Sequence, residues 1–416
     1  MKPKVYVMWF RNDLRLRDNL ALALAAKLGP VIGLYCWEPR FDGETDFEFP
    51  AVGAFRRRFI LESVADLRAE LAAEGVPLYF REAEPADAID ELSEEYDIQA
   101  IYAQTEVGPD ETAALGKVQQ LEIPVRLSDG WTMVHPEDLP YPLKHLPILF
   151  TNFQKDIERK MVIRRLKPLP EFLPVPTLLD LGELPELPPE RSPFPGGEKA
   201  GLARIQHYLW DSGRVLTYKA TRNEMLDPES GTRFSAYLAH GCISPRQIFH
   251  EIQKIEPASE SAYWVIYELL WRDFFHFNFR RYGRKMFKIG GIKGSTQFWN
   301  QDRELFEKWS TGTLEVPLVD AAMRELRATG YQSNRARQIT ASYWAKDLQQ
   351  DWRIGAEWFQ SMLVDYDPHS NWGNWQYVAG VGNDARSDRR FNLAIQAEKY
   401  DPNGEFVTQW LGKLDH

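Results

Sequence analysis

Short apolar runs alternate with helix-forming segments through the first 130 residues of the chain. Apolar runs of this length are typical of buried strands, and strands separated by helical segments predict a parallel sheet with helices on both faces. We therefore expect a doubly wound α/β domain over residues 1–130. No GxGxxG turn follows the first run, so this region indicates no dinucleotide. The five runs are VYVMWF from 5, VIGLYCW from 31, VPLYF from 76, QAIYA from 99 and IPVRL from 123.

A proline-rich stretch separates this region from the rest of the chain. At 416 residues the chain exceeds what one hydrophobic core usually supports, so we expect two domains. Thirteen of the 27 prolines lie between residues 136 and 195, which predicts an extended connector over 131–199. Within it, FTNFQKDIERKMVIRR, from 150, predicts one helix. Beyond residue 200 the sequence is helix-forming almost throughout, which predicts an all-α domain over 200–416.

Apolar patterning and cysteine content exclude several classes of protein. No apolar run approaches the length needed to cross a bilayer, and the opening MKPKVYVMWF enters a strand pattern at once. We therefore expect a cytoplasmic protein that does not associate with membranes. Cys36 and Cys242 are too few for a zinc cluster, and the eight histidines lack ligand spacing, so we expect no metal. Both cysteines are interpreted as small buried residues.

The charge of the chain is acidic overall but unevenly placed. A net charge of −10 argues against non-specific binding of nucleic acid. A local basic run is nevertheless present, and it is either an anion-binding face or a solvated helix end. This run consists of Arg280, Arg281, Arg284, Lys285, Lys288 and Lys293.

The core-like segment SAYWVIYELLWRDFFHF, from 261, carries polar residues on one face. Glu268, Trp271 and Arg272 fall at i, i+3 and i+4 of the helix that it predicts. The group is either a structural ion pair beneath an indole or a pocket wall with a hydrogen-bond acceptor and a stacking surface. The residues alone do not decide between these alternatives.

The segment SNRARQITASYW, from 333, has a similar arrangement. Asn334, Arg337 and Gln338 share a helix face with the small residue Ala341. Their flanking residues are apolar, so the three polar side chains are not typical of a solvated surface. Polar residues beside a small one on a core-like helix indicate the close approach of a polar ligand.

Two turn-forming stretches complete a candidate pocket. Tyr218, Thr232, Arg233 and Ser235 lie in and just after a turn-rich loop, where hydroxyls and backbone N–H groups would suit a phosphate. The stretch SNWGNWQYVAGVGND, from 370, combines glycines, asparagines and large rings. Glycine permits close backbone approach and the rings provide stacking surface, so this stretch suits the wall of a pocket for a planar heterocycle.

Taken in order, these segments resemble the photolyase/cryptochrome family of flavoproteins over essentially the whole chain. FTNFQKDIERK, YKATRNEML and GNWQYVAGVGND are most similar to its DASH branch, whose members are photolyases for cyclobutane pyrimidine dimers in single strands. The motifs that carry the family resemblance are WFRNDLRLRDNLAL, TRFSAYLAHGCISPRQIF, ELLWRDFF, VPLVDAAMRELRATGYQSNRARQITASYWAKDLQQDWR and SNWGNWQYVAGVGND.

The resemblance implies an FAD cofactor folded into the helical domain and an electron-transfer chain that leads to it. Asn371 matches the residue near the flavin N5 atom. Trp375, Trp352 and Trp299 match the chain that carries an electron inward from the surface, although buried indoles in most proteins serve only packing. With Glu268 these residues form the implied catalytic set. The implied cofactor-binding residues are Tyr218, Thr232, Arg233, Phe234, Ser235, Glu268, Arg272, Asn334, Arg337, Asp365, Asp367 and Asn371.

The implied substrate is DNA that contains a pyrimidine dimer. Tyr377 stands where duplex-acting photolyases carry a second tryptophan, and Gln338 stands where they carry methionine. Extruding a dimer from a duplex costs a few kcal/mol, whereas each base stacked on an aromatic ring returns roughly 1–3 kcal/mol. One fewer indole and an acidic protein therefore predict a preference for single strands. The implied substrate-binding residues are Trp271, Asn334, Gln338, Tyr377 and Arg222.

The resemblance leaves an antenna and two function classes to be tested. Glu106 in YAQTEVGPDE matches a glutamate that contacts a pterin antenna, which implies 5,10-methenyltetrahydrofolate between the domains. A glutamate after a strand end is otherwise an ordinary surface residue. One function class is a light-driven lyase, expected to be a monomer, that reverses cyclobutane dimers. The other is a photosensory regulator that uses the same flavin without catalysis.

Overall fold

A five-stranded parallel sheet forms the N-terminal part of the protein, in the order β3-β2-β1-β4-β5. The computed structural model describes residues 2–160, 162–175, 180–384 and 390–412. β1 is central and pairs in parallel with both β2 and β4. The strand pattern predicted from the sequence is thereby confirmed. The strands are β1 Lys4–Trp9, β2 Val31–Cys36, β3 Leu78–Arg81, β4 Asp97–Gln104 and β5 Val125–Ser128.

Helices cover both faces of this sheet, as the continuous apolar character of its strands requires. Side chains alternate across β1, so that Val7 and Met8 belong to separate buried clusters. Helices α1 and α2 contribute to the cluster that contains Met8, and helices α3 and α4 contribute to the other. Their bounds are α1 Leu20–Ala26, α2 Ala54–Ala73, α3 Pro85–Glu95 and α4 Pro109–Gln119.

The helix predicted within the connector forms as α5 Phe150–Lys160, and it is shorter than predicted. The prediction ran to Arg165, with Met161 lying outside the described residues. The apolar spacing of Phe150, Phe153 and Ile157 ends before Lys160. Beyond it, Arg164 lies outside any helix or strand and its Nε donates to Asp138 at 2.7 Å. This ion pair and the prolines that follow disfavour another helical turn.

The remainder of the described chain is largely helical. Helix α10 is the longest there, with 23 residues, and it packs against α5, α7, α9 and α15. Its N-cap is Ser259, whose side chain accepts from the Ala262 backbone N–H, and its C-cap is Gly283. The bounds are α6 Glu198–Gln206, α7 Tyr218–Thr221, α8 Ser235–Ala239, α9 Pro245–Ile252, α10 Glu260–Tyr282, α11 Arg303–Thr311, α12 Pro317–Thr329, α13 Asn334–Ser342, α14 Trp352–Met362, α15 Pro368–Ala379, α16 Leu393–Tyr400 and α17 Glu405–Leu411.

Buried carboxylates join the N-terminal part and the connector to the helices. Asp18 accepts from Ser244 at 2.6 Å and forms an ion pair with Arg246 at 3.0 Å. Asp273 on α10 accepts from the backbone N–H groups of Met133 and Val134 at 3.0 and 2.8 Å. Buried carboxylates with such partners are costly to disrupt, so these contacts hold the two parts in one arrangement.

Three expectations from the sequence, on the cysteines, on membrane spans and on metal ligands, can be compared with the described residues. Cys36 and Cys242 are buried and unpaired, which confirms their interpretation as small buried residues. Across the described parts of the chain, no helix combines the length and the apolar character that a membrane span requires. Within the same residues, no three His, Cys, Asp or Glu side chains are grouped as metal ligands.

Candidate functional site

A cavity of about 620 Å³ opens between α7, α8, α10, α13 and α15. Its volume lies within the range of about 300–1,000 Å³ that is typical of cofactor and small-molecule sites. Most of the predicted site residues line it together, although they come from four separate stretches of sequence. These residues are Tyr218, Arg222, Thr232, Phe234, Ser235, Glu268, Trp271, Arg272, Asn334, Arg337, Gln338, Asp365, Asp367 and Tyr377.

Three predicted residues lie at the margins of this cavity. Arg233 lines an adjoining cavity of about 260 Å³ rather than the main one, and its guanidinium lies over neighbouring aromatic rings. Asn371 and Trp375 line a recess of about 230 Å³, which shares part of its wall with the main cavity. The remaining predicted residues lie away from all three spaces, and they are Glu106, Trp299 and Trp352.

Arg337 on α13 and Asp365, which precedes α15, form an ion pair on the cavity wall. The Nη2 atom of Arg337 lies 2.8 and 3.0 Å from the two carboxylate oxygens, and its Nε donates to the Gln332 carbonyl at 2.9 Å. The Asp365 side chain is only 1% exposed. Burial lowers the pKa of Arg337, but the charge and hydrogen bond of Asp365, together with Tyr331 and Glu325, outweigh burial and raise the pKa above its usual value. Arg337 therefore stays charged, and its hydrogen bonds to Asp365 fix α13 against the start of α15.

Asp367 is the N-cap residue of α15 and also lines the cavity. Its Oδ1 accepts from the His369 backbone N–H at 2.9 Å, and its Oδ2 accepts from the Ser370 hydroxyl at 2.8 Å. Arg272 Nε lies 3.8 Å from Oδ2. Burial raises the pKa of Asp367, but His369 and Arg272 lower it by more, so the pKa lies well below its usual range. Asp367 is therefore an ionised hydrogen-bond acceptor in the cavity wall.

The sequence left open an ion pair between Glu268 and Arg272, and this alternative is wrong. Arg272 donates to the backbone carbonyls of Trp131 and Leu238, and its guanidinium lies 4.8 Å from the centre of the Trp131 ring. Glu268 instead accepts from Arg222, the C-cap residue of α7. The i, i+4 spacing correctly placed both residues on the cavity wall, but the connector and α8 provide the hydrogen-bond acceptors of Arg272.

Trp271 forms an aromatic part of the cavity wall and has a partner that the sequence did not reveal. Phe150 of α5 stacks on the indole, with ring centroids 3.7 Å apart and planes 11° apart. Tyr377 contacts the same indole edge-to-face at 5.9 Å. One face of Trp271 is therefore covered by the connector helix. A ligand can stack only on the remaining surface.

The three tryptophans of the predicted chain, Trp375, Trp352 and Trp299, lie in one buried core. Trp375 packs against Phe359 at 5.1 Å and Trp309 at 6.3 Å. Trp352 packs against Trp372 at 5.7 Å and donates from Nε1 to a backbone carbonyl. Trp299 is only 5% exposed, so the predicted surface end of the chain is itself buried. The sequence did not single out Trp309.

Gly355 of α14 makes room for the Trp375 indole, which yields a prediction for stability. A Cβ atom at Gly355 would lie 2.2 Å from the Cη2 atom of Trp375. Gly355→Ala should therefore destabilise the protein by about 1–3 kcal/mol through overpacking. The matched control is Gly116→Ala in α4, where a Cβ atom meets nothing within 4 Å. Denaturant unfolding should show the control unchanged or more stable, and equal stabilities of the two variants would contradict this packing.

The basic run is only partly available to an anion. Arg280 forms an ion pair with Asp129 at 2.8 Å, and Arg281 donates to the Leu146 carbonyl. Lys293 donates to two backbone carbonyls at 3.0 and 2.8 Å. Half of the run therefore has a structural role, and the residues left exposed are Arg284, Lys285 and Lys288.

A second large cavity, of about 540 Å³, lies between the N-terminal part and the helices. Glu111 lines it and accepts from Arg40 at 3.0 Å. The predicted antenna residue Glu106 is not among its lining residues. It is buried beside Arg11, and burial raises the pKa of its carboxyl to about 8. Other lining residues include Tyr35, Glu38, Arg353, Glu357, Tyr366 and Trp372.

Comparisons with known proteins give the class to which this fold and site belong. The family model for DNA photolyase matches residues 6–175, and the model for the FAD binding domain of DNA photolyase matches residues 264–416. The chain therefore belongs to the photolyase/cryptochrome family. These matches support FAD as the cofactor of the helical part.

The similar proteins place the chain near one branch of this family. It is 45% identical to "Cryptochrome DASH" of Gloeobacter violaceus, over 100% of this chain and 87% of that protein, and 42% identical to the Danio rerio protein of the same name, over 99% and 84%. The solved structure of a Synechocystis sp. PCC6803 cryptochrome matches with a TM-score of 0.96 and 42% identity, over 100% of this chain and 90% of that chain. A class III photolyase from Agrobacterium tumefaciens matches with a TM-score of 0.87 and 28% identity, over 100% and 88%.

The residues of the main cavity fit FAD by their chemistry. Tyr218, Thr232 and Ser235 offer hydroxyls, and the first-turn N–H groups of α8 have no acceptor within their own helix. These donors suit phosphate oxygens. Asp365 and Asp367 offer acceptors for the hydroxyl and ring N–H groups of the rest of the molecule. The cavity thus combines donors for a diphosphate with acceptors for a polar ring system.

Proposed function

We propose that this protein repairs cyclobutane pyrimidine dimers in a light-driven reaction, with a preference for single-stranded DNA. The observation that carries the proposal is one cavity in which residues suited to FAD adjoin an aromatic wall and a carboxyl group. Trp271, Tyr377 and Glu268 form this second part of the cavity. Cofactor and extruded bases would therefore lie in the same space, as electron transfer between them requires.

The chain's own residues hold and orient the reactants. We assign Tyr218, Thr232 and Ser235 to the FAD phosphates, and the Arg337–Asp365 pair and Asp367 to its remaining polar groups. When bound, FAD would supply the light-driven electron transfer that splits the cyclobutane ring. The buried wall excludes water and keeps these groups in fixed positions, so their orientation costs little at the moment of reaction.

Asn371 is fixed in a way that suits control of a proton at the deep recess. Its Nδ2 donates to the Ala356 carbonyl at 2.9 Å, an amide orientation that follows from the hydrogen-bond network. The Oδ1 atom of Asn371 is therefore left as a hydrogen-bond acceptor. Asn371 also lines the recess. We assign Asn371 to setting the protonation of the bound ring system.

Substrate binding is assigned to residues that combine stacking and hydrogen bonding. Trp271 and Tyr377 offer ring surface to the extruded bases, while Asn334 and Gln338 offer amide donors and acceptors. Base stacking on an aromatic side chain contributes roughly 1–3 kcal/mol per base. Because Phe150 covers one face of Trp271, this wall provides less stacking surface than two exposed indoles would.

We expect faster repair of dimers in single strands or opened bubbles than in intact duplex. The limited stacking surface and the net charge of −10 both reduce the free energy available for extrusion. For each tenfold rise in salt concentration, the logarithm of the binding constant should fall by about 0.7 per neutralised phosphate. The protein has few exposed cations, so this salt dependence should be shallow. Repair rates on the two substrates, measured at equal salt with limiting protein, test this. Equal rates would show that the strand preference is wrong.

We also propose that the second cavity holds a methenyltetrahydrofolate antenna. The support is a volume of about 540 Å³ lined by Tyr366, Trp372 and the cations Arg40 and Arg353, which suit an aromatic pterin with carboxylates. Because Glu106 lies outside the lining residues, the proposal depends on the cavity rather than on that glutamate. Titration of the purified protein with this folate should give saturable binding that Arg353→Gln weakens. Binding unaffected by Arg353→Gln would contradict this location.

A further inference from the structure

Two buried histidines lie in contact with each other beside Asp367, and neither of them lines the main cavity. His369, in the first turn of α15, is 1% exposed, and His276 of α10 is 2% exposed. Their ring centroids are 4.6 Å apart, with the planes at 77°. The Nδ1 atom of His369 lies 3.0 Å from Oδ1 of Asp367. Since Asp367 lines the cavity, His369 is linked to the cavity through that carboxylate.

The ring nitrogens of this pair have unused hydrogen-bonding capacity. Among the described residues, both nitrogens of His369 and Nδ1 of His276 have no hydrogen-bond partner. The approach of His369 to Asp367 is therefore an ionic contact without an aligned hydrogen bond. Unpaired polar atoms in a protein interior cost free energy, and where they occur they often have a redox or catalytic role. The arrangement indicates a role for His369 beyond packing.

Two opposing effects act on the charge of the His369 ring. The rings of Trp131 and Phe279 contact it at 5.1 and 4.9 Å, and such a buried aromatic environment disfavours an imidazolium. The ionised carboxylate of Asp367 favours the imidazolium. Because these effects oppose each other, a further negative charge in the cavity would shift the balance toward the protonated ring.

The cations near Asp367 are held by other groups as well. Arg272 Nε lies 3.8 Å from the Oδ2 atom of Asp367, and the same guanidinium donates to two backbone carbonyls. Arg280, one turn beyond His276 on α10, forms an ion pair with Asp129 at 2.8 Å. Both guanidinium groups keep their charge at neutral pH, so neither can respond to a new charge in the cavity by binding a proton.

The other titratable groups that face this region are neutral or directed elsewhere. Burial lowers the pKa of His276 well below its usual value, and a charge on His369 lowers it further. Burial lowers the pKa of His240 to about 4, and its ring contacts a backbone carbonyl. Burial raises the pKa of Asp273 to about 7, but its carboxylate accepts from two backbone N–H groups of the connector. Of these groups, His369 alone is a base in contact with Asp367.

We propose that His369 takes up a proton from solvent when the FAD bound in the cavity is reduced, so that its imidazolium balances the negative charge that the ring system gains. The inference rests on the placement of FAD in the proposed function. Two electrons come from an external reductant, one proton from solvent binds to the ring system and leaves it with one negative charge, and a second proton binds to His369. Asp367 stays ionised between them, so His369 acts on the cofactor as a positioning residue.

The reduction potential of bound FAD tests this coupling without any measurement of repair. The FAD-loaded protein is titrated with dithionite in the dark at a series of pH values. One additional proton per two electrons makes the equilibrium constant for reduction fall by an additional factor of about ten per pH unit as the pH rises, or about 30 mV. We expect the wild type to show this additional slope relative to His369→Phe, over the pH range in which reduction protonates the imidazole.

His369→Phe and a matched variant separate the proton from the packing. Phenylalanine preserves the contacts with Trp131 and Phe279 and removes only nitrogens that have no hydrogen-bond partner among the described residues, so the variant should still fold and bind FAD. The matched control is His276→Phe, which removes a histidine of equal burial from the same cluster. Because His276 stays neutral, this control should keep the slope of the wild type.

The charge of the imidazole can also be read in the wild type alone. In protein with ¹⁵N-labelled histidine, the ring nitrogen resonances distinguish a neutral ring from an imidazolium. We expect one of the eight histidines to become an imidazolium when FAD is reduced in the dark at a pH within that range. No change in the charge of any histidine would overturn the inference, even if a variant folds poorly.

The outcomes separate this inference from the proposed function. Equal slopes in the wild type and His369→Phe, with FAD bound to both, would overturn the inference and leave repair intact, because the proton would then bind to another group such as Asp273. A slope that is lost in His276→Phe and kept in His369→Phe would also overturn it. A purified protein that binds no FAD would overturn both.

Discussion

Replacing Trp375 with phenylalanine is expected to abolish light-driven reduction of oxidised FAD while the protein still binds the cofactor. Trp375 is 2% exposed and lines the recess beside Asn371 and Asp367, so it lies where an electron would enter the cavity. Phenylalanine preserves the apolar contacts with Phe359, but its ring is far harder to oxidise than an indole. The measurement is the loss of oxidised-flavin absorbance under blue light with an external thiol as reductant.

The neighbouring Trp309 offers a matched control for this experiment. It is fully buried and contacts the Trp375 ring at 6.3 Å, but it does not belong to the chain of residues that the resemblance implies. Trp309→Phe should therefore retain photoreduction at a rate near that of the wild type. If Trp375→Phe is reduced normally and Trp309→Phe is not, the electron enters through Trp309. The Trp375→Phe variant should still repair dimers when its FAD is reduced chemically, because the tryptophan chain is not needed once the cofactor is reduced.

Replacing Arg337 with glutamine should cost the protein both stability and its cofactor. The substitution leaves the buried Asp365 carboxylate, 1% exposed, without its cation. Removing one partner of a buried ion pair typically costs about 3–5 kcal/mol, because an uncompensated charge remains in the interior. The measurements are denaturant unfolding and the amount of FAD released into the supernatant when the purified protein is heated.

The surface of α12 provides the control for Arg337→Gln. Arg327 is exposed, so Arg327→Gln should change stability by no more than about 0.5 kcal/mol. It should also release as much FAD as the wild type. Wild-type FAD content together with wild-type stability in Arg337→Gln would show that the Arg337–Asp365 pair does not support the cofactor site.

The sheet could be predicted from the sequence because its strands are buried on both faces. Such strands appear as continuous apolar runs, and VIGLYC of β2 is buried at every position. The end of α5 could not be predicted in this way. Helix propensity continues through Arg164 and Arg165, and the structure departs from it because Asp138, distant in sequence, binds Arg164. Tertiary contacts of this kind leave no local pattern.

In the candidate site, too, local spacing predicts some features and the fold decides others. Spacing placed Asn334, Arg337 and Gln338 on one face of α13, and the structure brings that face to the cavity. Periodicity carries such information because it fixes which residues of one helix lie together. It does not fix partners across the fold. The stacking of Phe150 on Trp271 joins positions far apart in the chain.

The same limit explains the partner of Glu268. The sequence offered Arg272, one turn along α10, but the structure gives Arg222, the C-cap residue that follows the four-residue helix α7. No local signal marks Arg222 as a partner. The resemblance named it as a substrate residue, and only the fold shows that it is bound to the carboxyl group of the same cavity.

Dimer loss under blue light tests the central claim most directly. The purified protein, with its FAD chemically reduced, is illuminated with a single-stranded oligonucleotide that contains one cyclobutane dimer, and the remaining dimer is quantified against a dark sample. We expect loss of the dimer that depends on light and turns over more than once per protein. An intact dimer after illumination, in a protein whose FAD still undergoes photoreduction, would contradict repair and identify the protein as a photosensory regulator.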